Sequence, residues 1–299
     1  MINIRNILND DIFIKKYTIK NKVTIVETSK GKFVLKKKKK NTDNIITYLK
    51  QRGFDNIIFP TINNKDYYVY PYIESIDVID EQKAIDIITL TASMHNKTTF
   101  YKEVTIDYYK EIYENIEYEI TYMFNYYNDL VNIIENEIYF SPSHYLLIRN
   151  ISKLYACFDF LKNELDAWYK LVENKTKVRY TVIHNNLNIE HLINNIDKNY
   201  LINFDDADFN MPIYDILTFY KNHFTRFNFK ELFDLYESKF TLLEEEKKLF
   251  FILISLPNKI DLNELSELNK TIKVRLFLDY LYKNEELITP YYETNDTKE

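Results

Sequence analysis

The segment His184-Asn185-Asn186-Leu187-Asn188-Ile189-Glu190-His191-Leu192-Ile193 decides how this chain is read. It follows Tyr180-Thr181-Val182-Ile183, a short β-branched run that reads as a strand. A hairpin-like pair comes next, Leu192-Ile193 with Tyr200-Leu201-Ile202, and then Asn203-Phe204-Asp205-Asp206-Ala207. Met211-Pro212-Ile213-Tyr214-Asp215-Ile216 ends the polar region and opens a helical one. His184 and His191, with Asp205 or Asp206, have the donor types of a transition-metal site. The simpler reading has His184 bonding the loop backbone and His191 as a polar residue before a strand. In that reading Asp205 and Asp206 pin the following turn.

Upstream the periodicity is that of strands. Ile12 to Ile19, Lys22 to Thr28 and Lys32 to Lys36 are short β-branched and aromatic runs, with Gly31 in a hairpin turn. A short helix is expected from Ile45 to Arg52, ended by Gly53 as a C′ glycine. Ile57-Ile58-Phe59-Pro60 and Asp66 to Ile73 read as two further strands. From Asp80 the period becomes helical. Ile85, Ile88, Ala92 and His95 share a face, as do Ile116, Ile120, Phe124, Tyr127 and Val131. A third helix is marked by Ile151, Tyr155, Phe158, Leu161, Leu165 and Trp168, and the chain is again helical from Tyr214 to about Tyr282. The tail Glu293 to Glu299 is polar and expected to fray. The expected boundary lies near Glu74, giving residues 1–74 (sheet plus one helix) and 75–299 (mostly helical, with the loop and hairpin 180–207).

Composition narrows the function classes. The net charge is −6, so the basic footprint of a nucleic-acid binder is missing. The longest apolar run, Leu249 to Leu256, is too short to span a bilayer. The first residues, Met1 to Phe13, contain no apolar signal region, so a cytoplasmic protein is expected. Cys157 is the single cysteine, which excludes an intramolecular disulfide; it reads as core filler. The 27 Tyr against 2 Gly fit codon bias in an AT-rich genome better than an aromatic code.

The polar segments together resemble the aminoglycoside and choline phosphotransferase superfamily. Its pattern H-G-D-x-x-x-x-N-[IL]-[IL], then I-D-F-D-D-A, then P-x-Y-D-L, is matched in spacing by residues 184–193, 202–207 and 212–216. Met94-His95-Asn96-Lys97-Thr98 is similar to that family's L-H-x-x-T stretch. Within the superfamily the likeness is greatest to kinase-like proteins related to spore-coat proteins of low-GC Gram-positive bacteria, which implies spore association as one location. The resemblance implies an α+β, bilobal protein-kinase-like fold, with a small antiparallel-sheet N-lobe and a larger helical C-lobe. It implies ATP as cofactor, with Lys36 on the phosphates and Tyr70-Pro71-Tyr72-Ile73 as the hinge facing adenine. Val34 shares the strand face of Lys36, because side chains alternate along a strand. The resemblance also implies that His184 and Asp215 brace the catalytic loop.

Three positions depart from the pattern. The family's catalytic Asp falls on Asn186, and its two Mg²⁺ ligands fall on His191 and Asn203. Phosphoryl transfer depends on positioning and on metal neutralisation of the phosphate oxygens. Mg²⁺ prefers anionic oxygen, an amide offers a neutral one, and imidazole suits softer metals. Asn186 takes up no proton near neutral pH. The expectation is a catalytically impaired pseudokinase, acting as a scaffold for a protein partner or as a weak ATP-binding module. The competing expectation is an active phosphotransferase for a small hydroxylated metabolite, with Asp205 or Asp206 as displaced metal ligands. Asp43 and Asp55 are the first acids that follow Lys36 in the chain, and neither is at a good spacing to pair with it.

Overall fold

The computed structural model describes residues 14–20, 23–39, 42–263 and 266–296. The start of the first expected strand, Ile12-Phe13, and the end of the tail lie outside them. The protein is α+β, and by compactness the chain divides into two units. One takes in residues 1–100 and 180–215, the other residues 101–179 and 216–299.

The first unit is built on a five-stranded antiparallel sheet of order β1-β2-β3-β5-β4. Its strands are β1 (Ile14–Lys20), β2 (Val23–Thr28), β3 (Gly31–Lys37), β4 (Ile62–Asn63) and β5 (Tyr67–Pro71). On one face Val26, Leu35 and Val69 are buried together, with Ile14, Phe33 and Ile62 packed against them. Burying each such side chain stabilises the sheet by about 1.5–3 kcal/mol. Strand alternation then places Val34 and Lys36 on the opposite face. Helix α1 (Thr42–Gln51) ends in a Schellman motif: Gly53 N–H donates to Lys50 O at 3.1 Å and Phe54 N–H to Leu49 O at 3.0 Å. Gly53 has φ +68°, the left-handed conformation that the motif requires.

Ile57 to Pro60 is not the expected strand. Only Ile57 forms a bridge, parallel to Leu201, and pairing resumes at Ile62. Pro60 has no N–H to give a ladder. Helix α2 (Asp80–Thr98) follows. Its buried stripe is Ala84, Ile87, Ile88, Thr91, Ala92 and His95, whereas Ile85, grouped with that face by periodicity, is 41% exposed. Beyond the short β6 (Phe100–Glu103), the unit resumes in β7 (Lys177–Ile183). The hairpin of β8 (Leu192–Ile193) and β9 (Tyr200–Leu201) comes next. Strand β10 (Asp208–Asn210) then pairs antiparallel with β7, Phe209 opposite Val182.

The second unit is helical. It takes in α3 (Asp107–Glu135), α4 (Pro142–Arg149), α5 (Ile151–Val172), most of α6 (Ile213–His223), α7 (Phe229–Lys239), α8 (Glu244–Ser255) and α9 (Glu267–Asp296). Trp168, Tyr127, Phe158 and Phe250 are almost fully buried, so much of its core is aromatic. Helix α4, with Ser141 as N-cap and Pro142 in its first turn, was not anticipated; neither were β6 and β10. Helix α9 runs on to Asp296, through Pro290, beyond the expected end near Tyr282. Cys157 is held by Ser255 O at 3.1 Å, and burial pushes its thiol up to about 12. Among the described residues no helix is long and apolar enough to cross a membrane.

Candidate functional site

All of the singled-out polar residues lie in the first unit. Their frame is a buried carboxylate. Asp215, at the start of α6, is fully buried and accepts from the backbone N–H groups of His184 (2.8 Å) and Asn185 (2.7 Å). His95 Nε2 lies 3.1 Å from the same carboxylate. Two turns of α2 therefore hold the loop after β7, because Thr98 Oγ1 also accepts from Val182 N–H at 3.1 Å. Asn185 has φ +58°, so the position that carries Gly in the resembled pattern keeps a left-handed backbone. Asparagine tolerates that conformation better than most residues.

His184 is fully buried and bonds Ile202 O through Nε2 at 2.8 Å. Its ring packs edge-on against Phe204, centroids 4.8 Å apart. Burial, the largest influence, pushes its pKa below the ordinary imidazole value, although the charge of Asp215 pulls the other way. The imidazole is therefore neutral, with Nε2–H as the donor and a buried Nδ1 that has no hydrogen-bond partner among the described residues.

A continuous relay crosses the site. Asn186 O accepts from His191 Nδ1–H at 2.7 Å. That tautomer leaves the His191 Nε2 lone pair to accept from Asn203 Nδ2, 2.9 Å away. Asn203 Oδ1 in turn accepts from Lys36 Nζ at 2.6 Å. Lys36 also pairs with Asp205 at 2.9 Å; the two side chains are only 14% and 10% exposed. Asn203 sits in the left-handed region, φ +69°, which aims its amide into this relay. The asparagines thus bond to Lys36, His191 and Asp206 rather than to each other, since Asn186 Nδ2 donates to Asp206 Oδ2 at 3.3 Å.

Sequence reasoning missed Lys39. Its ammonium is 2.7 Å from Asp206 Oδ1, and that hydrogen bond holds its pKa above the ordinary lysine value. The lysine run is therefore split by strand and turn geometry. Lys36 and Lys39 reach Asp205 and Asp206, Lys38 reaches Asp43 at 2.9 Å, and Lys37 is exposed. Asp43 goes to Lys38, Asn63 and Tyr68, not to Lys36. The partner of Lys36 lies 169 residues on, a separation that no local spacing announces. His95, which reads as an ordinary helical histidine, belongs to the brace; the Met94–Thr98 likeness was its one signal.

On the Lys36 face, Val34 stands opposite Tyr70 in the β3–β5 ladder, and both are half-buried. Burial, then the charge of Asp205, raises the Tyr70 phenol above its ordinary value and keeps it neutral. Tyr72 is more exposed; its N–H donates to Lys32 O at 3.1 Å and its ring lies under the Lys32 ammonium.

These donors do not fit Mg²⁺ at the two positions where the resemblance implies it. His191 Nε2 and Asn203 Nδ2 face each other, and Asn203 Oδ1 is already held by Lys36. Among the described residues no three His, Cys, Asp or Glu side chains are grouped to hold a metal ion.

No family model matches the chain, and no curated protein matches it. Solved structures do. An aminoglycoside phosphotransferase from Alicyclobacillus acidocaldarius superposes with a TM-score of 0.66 at 9% identity, over 96% of this chain and 94% of that one. A spectinomycin phosphotransferase in complex with AMP gives 0.53 at 13% identity, over 92% and 95%. A choline kinase from Streptococcus pneumoniae gives 0.49 at 13% identity, over 93% and 97%. The fold is thus the kinase-like fold of the aminoglycoside phosphotransferases, the fold that the 184–216 motifs imply.

Proposed function

We propose that this protein is a catalytically impaired member of the kinase-like fold, a scaffold or nucleotide-binding module rather than a phosphotransferase. The relay from Asn186 through His191 and Asn203 to Lys36 carries this reading. It satisfies the side chains at the metal-ligand positions, His191 and Asn203, by hydrogen bonds to each other, to the Asn186 backbone carbonyl and to Lys36, and neither position carries a carboxylate for a divalent cation. Lys36, Val34 and Tyr70 have the chemistry to hold a phosphate and a flat base. The ammonium groups of Lys36 and Lys39 are already balanced by Asp205 and Asp206, so a triphosphate gains little from them. ATP binding is therefore weak and indifferent to Mg²⁺. Partner binding is the remaining role for the scaffold.

Steady-state ADP release with ATP, Mg²⁺ and a panel of aminoglycosides, choline and sugars tests the impairment. The expected rate equals that of the protein-free control. Turnover that vanishes on Lys36→Met overturns the reading.

One observation favours the alternative. Asp206 Oδ2 lies 3.3 Å from Asn186 Nδ2, which sets a carboxylate beside the position of the resembled family's base. In an active enzyme Asp206→Asn abolishes turnover; in the pseudokinase reading there is no turnover for it to abolish.

A further inference from the structure

Three isoleucines of the first unit stand open to solvent within one hydrogen-bonded corner. Ile76, Ile79 and Ile196 are 43%, 71% and 85% exposed. Ile76 N–H donates to Asn194 O at 2.8 Å and Asn195 Nδ2 to Glu74 O at 2.9 Å. Residues 74–76 therefore run beside the β8–β9 hairpin, whose turn carries Ile196. Asp86 of α2 accepts from Asn194 at 2.9 Å and from Asn199 at 2.8 Å, which ties the same hairpin to the helix that Ile79 precedes. Apolar side chains exposed singly need no explanation, but a contiguous patch rimmed by polar residues marks an interaction site.

The rim of this patch is acidic. Glu74, Asp77 and Asp197 are exposed, and none of the three forms an ion pair among the described residues. The cations closest to them in sequence are engaged elsewhere. Lys83 pairs with Asp80 at 3.3 Å, and Lys198 donates to Asp55 O at 2.8 Å with its ammonium over the Tyr200 ring. Residues 1–100 and 180–215 carry 18 Lys and Arg against 17 Asp and Glu, so an acid-only rim does not follow from the composition of this unit. Such a rim repels anionic lipid, nucleic acid and a second copy of itself, and it attracts a basic partner. The ties to Asp86 hold the hairpin in place, so presenting Ile196 costs little further order on binding.

We infer that this corner docks a basic amphipathic segment of another protein. The apolar side chains of that segment lie on Ile76, Ile79 and Ile196, and its lysines or arginines meet Glu74, Asp77 and Asp197. The inference gives the scaffold a surface and a kind of partner. It stands whether or not the protein transfers phosphate, because none of these six residues takes part in the relay.

Fluorescence anisotropy on the full chain tests it with three labelled peptides. One is a lysine–leucine peptide patterned as an amphipathic helix, one has the same pattern with glutamate for lysine, and one is the lysine–leucine peptide in scrambled order. Saturable binding of the first is expected, at least tenfold tighter than that of the other two. Ile196→Asp and Asp77→Lys, changes at exposed side chains of different segments, should each weaken it at least fivefold. Ile138→Asp, at an isoleucine of the second unit that is 89% exposed, should leave it unchanged. If one of the first two variants melts early, the other decides. No saturation by the patterned basic peptide, equal binding of either control peptide, wild-type affinity in a folded corner variant, or an equal loss with Ile138→Asp overturns the inference. Self-association of the chain in sedimentation that Ile196→Asp abolishes also overturns it, since the corner would then belong to a second copy.

Discussion

Asn203 and His191 show what a single atom does at this site. Where a carboxylate and a second ligand would repel or compete without a cation, an amide offers one acceptor to Lys36 and one donor to His191. Asn203→Asp keeps the bond to Lys36 but sets a carboxylate oxygen against the His191 Nε2 lone pair. That repulsion should destabilise the protein by roughly 1–3 kcal/mol. Thermal melting of Asn203→Asp beside the unchanged protein checks this, and an equal Tm contradicts the tautomer assigned to His191. His184 gives a pH effect. Its folded pKa is depressed, so the unfolded chain binds more protons and stability rises with pH. Its contribution is complete above the unfolded imidazole pKa of about 6.5 and is lost as the pH falls below it. His184→Gln should therefore flatten the decline of Tm from about pH 7.5 to 5.5; an unchanged slope would assign that decline to other groups.

At the scale of elements, α2 holds the site more firmly than its sequence suggests. Thr98 Oγ1 accepts from the Val182 N–H inside β7, and His95 lies on Asp215 two strides away. Thr98→Val preserves shape and removes the acceptor, leaving a buried N–H unpaired. A loss of about 1–3 kcal/mol is expected in denaturant melts; a loss below about 0.5 kcal/mol would show that the N–H finds water or another acceptor. These ties explain what was legible. The strands β1 to β3 and β7 to β9 were readable because alternation and turn residues are local signals, as in the buried Val26 and Leu35 beside the turn at Gly31. The braces were not. His95 and Asp215 are 120 residues apart, and Lys36 and Asp205 169, and nothing in the intervening chain encodes either pairing. Short elements such as β6 and β10 were equally silent, since three or four residues carry no period. Ile57 to Pro60 misled because β-branched residues look like a strand even where Pro60 removes a donor.

For the molecule as a whole, the fold and the motif spacing agree on the kinase-like fold of the aminoglycoside phosphotransferases, while Asn186, His191 and Asn203 stand at three positions that depart from the resembled pattern. Two ion pairs cross the site, Lys36 with Asp205 and Lys39 with Asp206, beside the relay from the Asn186 carbonyl to Lys36. A phosphotransferase in its usual form leaves carboxylates that only a divalent cation satisfies. In the proposed function the metal has no place in this site. Isothermal titration of ATP into the protein, with and without Mg²⁺, tests that claim most directly. Weak binding whose affinity differs less than about twofold between the two conditions is the predicted result. Tightening by tenfold or more on adding Mg²⁺, about 1.4 kcal/mol, would contradict it and would mean that Asp205 or Asp206 leaves its lysine to bind the cation.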